Sequence, residues 1–98
     1  MIDVIFRPEA EEELFAAYRW YEEKHAGLGE EFLRCVEAVV EQISRFPEGN
    51  AFVHREIRRG LTRRFPYGVF YIVEDEKAVV LAVFHASRNP PAWRRRRR

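Results

Sequence analysis

Near its C-terminal end the chain reads HASRNPPAW, residues 85–93, followed by five arginines at 94–98. His85 and Arg88 stand three residues apart, with Trp93 shortly after. Cleaving an RNA backbone without a metal takes three groups: a base for the 2′-hydroxyl, a cation for the phosphorane charge and an acid for the leaving oxygen. His85 and Arg88 can fill two of those roles. The same residues also have a purely structural reading. His85 then caps a strand, Arg88 pairs with a helix carboxylate and Trp93 tucks over an open sheet face. A second basic set, Arg55, Arg58, Arg59, Arg63 and Arg64, surrounds Gly60. If Gly60 makes a tight turn, a hairpin tip presents several of these arginines together. Their planar forks match phosphate oxygens, and an acidic protein surface would satisfy them equally well.

Other chemistry finds little support. His25, His54, His85 and Cys35 show no metal-ligand spacing, so neither a metal site nor a cofactor site is expected. Cys35 falls on an apolar helical stripe and reads as a core cysteine. No nucleophile elbow precedes Ser44 or Ser87. Gly27-Leu28-Gly29 follows a helical pattern, unlike a phosphate loop, which follows a strand. Glu9, Glu11, Glu12 and Glu13 are accounted for by the electrostatics of a helix start.

The elements that must position these residues follow from periodicity. Residues 2–6 (IDVIF) form a short strand pattern. Pro8 then opens a helix whose apolar face is Ala10, Leu14, Ala17, Tyr18 and Tyr21, with Gly27 as its stop. A second helix carries Phe32, Cys35, Val36, Val39, Val40 and Ile43 on one stripe and closes at Pro47 and Gly49. Beyond residue 50 the period falls from 3.6 to 2. Strands are expected at 52–57, 61–65, 68–74 and 78–85, with turns at Gly60 and 75–77. The order predicts an α+β fold: an N-terminal strand, then an antiparallel helical hairpin packed on one face of a twisted antiparallel β-sheet. Residues 78–84 are apolar throughout, and Phe70 and Ile72 point away from Val69, Tyr71 and Val73. Two helices cover one sheet face, so the other is expected to need a partner or the C-terminal segment. Phe15 and Trp20, at the edges of the first helix's stripe, are candidate partner contacts.

Composition bounds the class. Ninety-eight residues, 47% hydrophobic and 14% aromatic, suffice for one domain with a core. We assign it to residues 1–93, with 94–98 as a basic tail expected to be disordered. No apolar run reaches the ~20 residues of a membrane span. The absence of a signal-like N-terminus and the single cysteine suit the cytoplasm. Net charge is +1, but residues 1–50 hold 5 Lys+Arg against 12 Asp+Glu, and residues 51–98 hold 12 against 4. Such asymmetry suits either an anionic partner or a solvated surface with a loose tail.

Taken in order, RPEAEEEL, YRWYEE, GLGEEFL, FPYGVFYIVE and HASRNPPAW resemble the RelE/ParE superfamily of type II toxin–antitoxin toxins, from Val4 to Trp93. The resemblance implies a helical hairpin on a sheet and a cognate antitoxin that wraps the toxin. The expected antitoxin contacts are Phe15, Trp20, Phe70 and Ile72. RelE-like members cut mRNA on the ribosome and carry an arginine in a Tyr-Arg-apolar-apolar-Tyr strand. The matching residues 67–71 read YGVFY, with Gly68 in the arginine's place. Arg88 and Trp93 fall near the C-terminal arginine and aromatic of those enzymes, and Arg63 or Arg64 stands near enough in sequence to substitute for the missing cation. ParE-like members lack the nuclease set and poison DNA gyrase by binding. The departure at Gly68 favours the ParE side, with Arg63, Arg64, Arg88 and Trp93 as target contacts. The alternatives are a ribosome-dependent mRNA endonuclease using His85, Arg88 and Arg64, or an inert relative that keeps only the antitoxin-binding scaffold.

Overall fold

The computed structural model describes residues 1–87. The first strand, β1 (Asp3–Phe6), gives way at once to helix α1 (Pro8–Lys24). Proline fixes φ near the helical value and has no N–H to lose, so it suits the first helical position. Glu9 and Glu11 in the first turn and Lys24 in the last carry the signs that oppose the helix dipole. Ala10, Leu14 and Ala17 are buried, as their spacing implies.

Helix α2 (Leu28–Arg45) begins after Gly27, which holds φ at +89°, a conformation glycine adopts without strain. Gly27 has no side chain with which to cap the helix. Glu22 does so from the preceding helix: one carboxylate oxygen accepts from the Gly27 N–H and the other from the Gly29 N–H, each at 2.9 Å. The helices meet closely here. A Cβ on Gly29 would lie 2.8 Å from the Tyr18 carbonyl oxygen. Tyr18 also donates its hydroxyl hydrogen to Glu30 at 2.6 Å. Phe32, Val36, Val39 and Ile43 form the buried stripe of α2, with Cys35 and Val40 half-buried beside it. Each large apolar side chain buried this way contributes about 1.5–3 kcal/mol.

From α2 the chain reaches the far edge of the sheet and meanders back through β2 (Phe52–His54), β3 (Ile57–Leu61), β4 (Tyr67–Glu74) and β5 (Lys77–His85). The sheet order is β1-β5-β4-β3-β2. β5 therefore arrives beside β1 running the same way, and the two pair in parallel, Asp3 opposite Lys77 through Phe6 opposite Val80. The sheet is mixed, not antiparallel throughout as expected. The helical hairpin carries the chain away from β1, so β1 has no hairpin neighbour and waits for the last strand.

Two further expectations are corrected. Gly60 lies inside β3, opposite Val69, and not at a turn. A Cβ there would come within 2.7 Å of Val39 Cγ1, so glycine lets α2 lie close on the sheet. The turn is instead at Arg55 and Glu56, between the paired residues His54 and Ile57. Residues 62–66 are a loop, not a strand. Thr62 Oγ1 donates to Phe65 O at 2.7 Å, Thr62 N donates to Tyr67 O at 3.0 Å, and Arg64 takes a positive φ of 69°. The β4–β5 hairpin turns at Asp75 and Glu76, both at positive φ, the pairing of signs that matches strand twist.

The sheet buries both of its faces. Under the helices lie Val69, Tyr71, Ala78, Val80 and Val83. On the other side Ile57, Phe70, Ile72, Leu81, Ala82 and Phe84 form a second buried cluster, with Val53 and Val79 packed against it. A register shift opposite Phe70 and Tyr71 explains the uninterrupted apolar run of β5. Leu81 and Ala82 both fall on the second face, and Val83 returns to the first. The second face is buried as well: Phe70 is 2% and Ile72 1% exposed. Among the described residues, no helix is long and apolar enough to cross a membrane.

Candidate functional site

A broad concavity arises where β1 is shorter than its neighbour. β1 covers β5 only from Lys77 to Val80, where Arg7 N still donates to Val80 O at 2.9 Å. The chain then leaves the sheet as α1. Residues 81–85 continue with no described strand on that side. A groove of about 790 Å³ opens between α1 and this stretch. Its helical wall is Glu13, Ala16, Ala17, Trp20 and Tyr21; the other wall is Pro66, Tyr67, Val83, Phe84, His85 and Ser87. The small side chains of Ala16 and Ala17 leave the room. Glu13 Oε1 accepts from the Val83 N–H at 3.0 Å, so a side chain occupies a donor that a neighbouring strand would otherwise take.

The groove floor is aromatic. Tyr21 meets Phe32, Phe65 and Tyr67 at centroid distances of 5.2, 4.9 and 6.1 Å. Burial, and secondarily the neighbouring Tyr67, pushes the Tyr21 phenol above its ordinary pKa. Trp20 stands edge-on to Tyr21 at 5.1 Å, with the Lys24 ammonium 4.7 Å from its ring, and remains 54% exposed. A large half-exposed indole beside a groove has the features of an interface anchor. Phe15, 46% exposed, is not among the groove's lining residues.

His85 lies at the groove's mouth. Its ring is edge-on to Tyr67 at 5.6 Å, and its Nδ1 accepts from the Ser87 N–H at 3.2 Å, with Ser87 Oγ 2.9 Å away. In the neutral ring that leaves the proton on Nε2, so the acceptor nitrogen is already engaged. Arg64 is held elsewhere. Its guanidinium pairs with Glu31 of α2 at 2.8 Å and stands over Phe65 at 5.8 Å. Arg63 is exposed and makes no ion pair among the described residues. No contact joins His85 to Arg64. Arg88 and Trp93 lie outside the described residues. Phe70 and Ile72 are packed in the second cluster and offer no surface. Of the four residues expected to meet an antitoxin, Trp20 alone lines the groove.

Sequence reasoning missed Glu13, Ala16, Tyr67 and Val83 as a groove. Glu13, Ala16 and Trp20 fall at helical spacing on a side of α1 distinct from its core stripe, and two adjacent alanines beside an indole were the available signal. The extent of β5 beyond β1 was invisible, since it depends on which strand pairs with β1. Among the described residues, no group of three or more His, Cys, Asp or Glu side chains is placed to hold a metal ion.

Similar architectures are known. A structure described as a chromosomal ParDE toxin–antitoxin system from P. aeruginosa superposes with a TM-score of 0.67 at 19% identity, covering 89% of this chain and 98% of that one. The toxin–antitoxin complex RelBE2 from Mycobacterium tuberculosis gives 0.60 at 21% identity, covering 86% and 96%. The isolated E. coli RelE toxin gives 0.63 at 18% identity, covering 97% and 95%. No curated protein matches the sequence. At these identities the structures establish the fold. A family model for the ParE toxin of type II toxin–antitoxin systems (parDE) matches residues 4–90, and on that match the chain belongs to the ParE toxin family.

Proposed function

We propose that this toxin is neutralised by a cognate antitoxin seated in the α1–β5 groove, and that it arrests growth by binding DNA gyrase without cutting mRNA. The observation that carries the second part is the dispersal of the nuclease candidates. Position 68 is glycine, the acceptor nitrogen of His85 is engaged by Ser87, and Arg64 is tied to Glu31. No base and cation converge on one point among the described residues, whereas phosphodiester cleavage requires them within hydrogen-bond reach of a single phosphate.

The groove supports the first part. An extended antitoxin segment can run beside residues 81–85, take the Val83 N–H from Glu13 and lay an apolar side chain against Trp20 and Tyr21. Two of the similar structures, ParDE and RelBE2, are toxin–antitoxin assemblies by description. The test is to assay the purified chain separately for inhibition of gyrase supercoiling and for cleavage of mRNA on ribosomes. Supercoiling is expected to be blocked with mRNA intact. Cleavage at the ribosomal A site would overturn the gyrase reading in favour of an mRNA endonuclease using His85, Arg88 and Arg64. Harmless expression without an antitoxin would show a relative that has kept only the scaffold.

A further inference from the structure

Gly68 is buried opposite Leu61 of β3, on the sheet face turned away from the helices. A Cβ built on it would lie 3.0 Å from both Cγ and Cδ of Arg59 and 3.2 Å from Phe70 Cε1. The absent side chain leaves a slot, and the aliphatic stem of Arg59 lies in that slot. The backbone beneath is fixed as well: Arg59 sits opposite Phe70 in the ladder, and its N–H donates to Ala51 O at 3.2 Å.

The guanidinium at the end of this stem makes no ion pair and no side-chain hydrogen bond among the described residues. Its neighbours differ. Arg58 donates to the carbonyls of Glu48 and Asn50 and stacks 3.8 Å over Phe52, while Arg64 is neutralised by Glu31. Arg59 is thus a half-buried cation whose stem is already ordered and whose charge meets no counter-ion among the described residues. An ordered stem loses less entropy when it grips an anion.

We propose that Arg59 grips a backbone phosphate of the nucleic acid in the toxin's target assembly, with Gly68 as the slot that aims it. Phosphate is favoured over carboxylate by the company Arg59 keeps. Arg55 and Arg63, in the turns flanking β3, also make no ion pair among the described residues. Several guanidinium groups without an ion pair among the described residues suit a polymer that repeats its charge at every phosphate. The inference rests on reading the chain as a toxin directed at an assembly that carries nucleic acid; the phosphate belongs to DNA if that assembly is gyrase, or to RNA if it is the ribosome.

The experiment measures binding of the full-length chain to labelled 12-nucleotide single strands of one mixed sequence, as DNA and as RNA, across a range of salt. Residues 94–98 are common to every variant, so differences isolate the sheet face. Arg59→Gln is expected to weaken binding about tenfold, the loss of one charge-assisted contact, and to make the log–log salt slope shallower by about 1. Gly68→Ala keeps every charge but displaces the stem, and is expected to weaken binding several-fold. Arg59→Lys, which keeps stem and charge without the fork, should fall between. Arg19→Gln, on the exposed side of α1, should change nothing. Tighter binding of one strand type identifies the source. Equal affinity of the native chain and Arg59→Gln, at equal melting temperature, overturns the inference. So does displacement by a polyglutamate peptide at matched charge. Gyrase inhibition is scored apart: its loss with oligonucleotide binding intact removes only the target reading, and the reverse removes only this one.

Discussion

Replacing Glu22 with alanine takes away the cap that α2 borrows from α1. Two backbone donors at 2.9 Å, the Gly27 and Gly29 N–H groups, then turn to water or stay unmet. Ordinary N-cap deletions cost about 1 kcal/mol and at most about 2. Here one carboxylate serves two donors, and its charge opposes the helix dipole, worth a further ~0.3–1 kcal/mol. Glu22 is only half-buried, so water recovers part of the loss. The expected cost is about 2 kcal/mol for Glu22→Ala. For Glu22→Gln, which keeps one acceptor and loses the charge, it is about 1 kcal/mol. For a chain of this size that corresponds to melting shifts of roughly 10 °C and 5 °C. Thermal and urea denaturation followed by circular dichroism measures both. Glu23→Ala, at an exposed neighbour, should stay within about 0.5 kcal/mol of the native chain. A Glu22→Ala chain melting within about 2 °C of native would refute the borrowed cap, because ordinary surface substitutions already scatter that much.

Four other outcomes are expected. Gly60→Ala should destabilise by about 1–3 kcal/mol through overpacking on Val39, and adding Val39→Ala should recover part of that loss, so the two changes will not add in a double-mutant cycle. Tyr71→Phe should cost about 1–2 kcal/mol, since its hydroxyl donates to Pro47 O at 2.8 Å and accepts from Asn50 Nδ2 at 3.1 Å. Burial raises the phenols of Tyr71 and Tyr21, so the folded chain keeps protons that the unfolded chain releases near pH 10. Their contribution should therefore be constant below about pH 10 and fall as pH rises past it, with a shallower fall in Tyr71→Phe, measured by urea denaturation between pH 8 and 11. Trp20→Ala should leave the melting temperature nearly unchanged, because the indole is half-exposed, yet weaken antitoxin binding by tenfold or more in calorimetry.

The helical hairpin was legible at close range. Its apolar stripes, Pro8 at the start and Gly27 at the turn are local signals, read within one or two turns of chain, and the structure keeps them within a residue or two. Charge spacing along α1 was equally local. The Glu22 cap was not, although only five and seven residues separate its partners, because it depends on the angle at which α2 leaves the turn.

The sheet divided differently. Period-2 alternation announced strands, and the Asp75–Glu76 turn was readable from its polarity. Gly60 was misread because a glycine at a turn and a glycine beneath a crossing helix look alike in sequence; only Val39, 21 positions earlier, distinguishes them. The apolar run of β5 called for cover on both faces, and a register shift decides which of its residues joins which of two buried clusters. The groove exists because β1 stops at Phe6 while β5 runs on to His85, and the Arg59 slot exists because β3 and β4 set Arg59 beside Gly68. By itself the sequence determined the two helices, the last two strands, the α+β class and the family resemblance, since periodicity, capping and motif order are written along the chain. Tertiary structure alone decided how far β1 covers β5, which arginines find a carboxylate among the described residues and which aromatics reach the surface, because those depend on neighbours that only long-range pairing brings together.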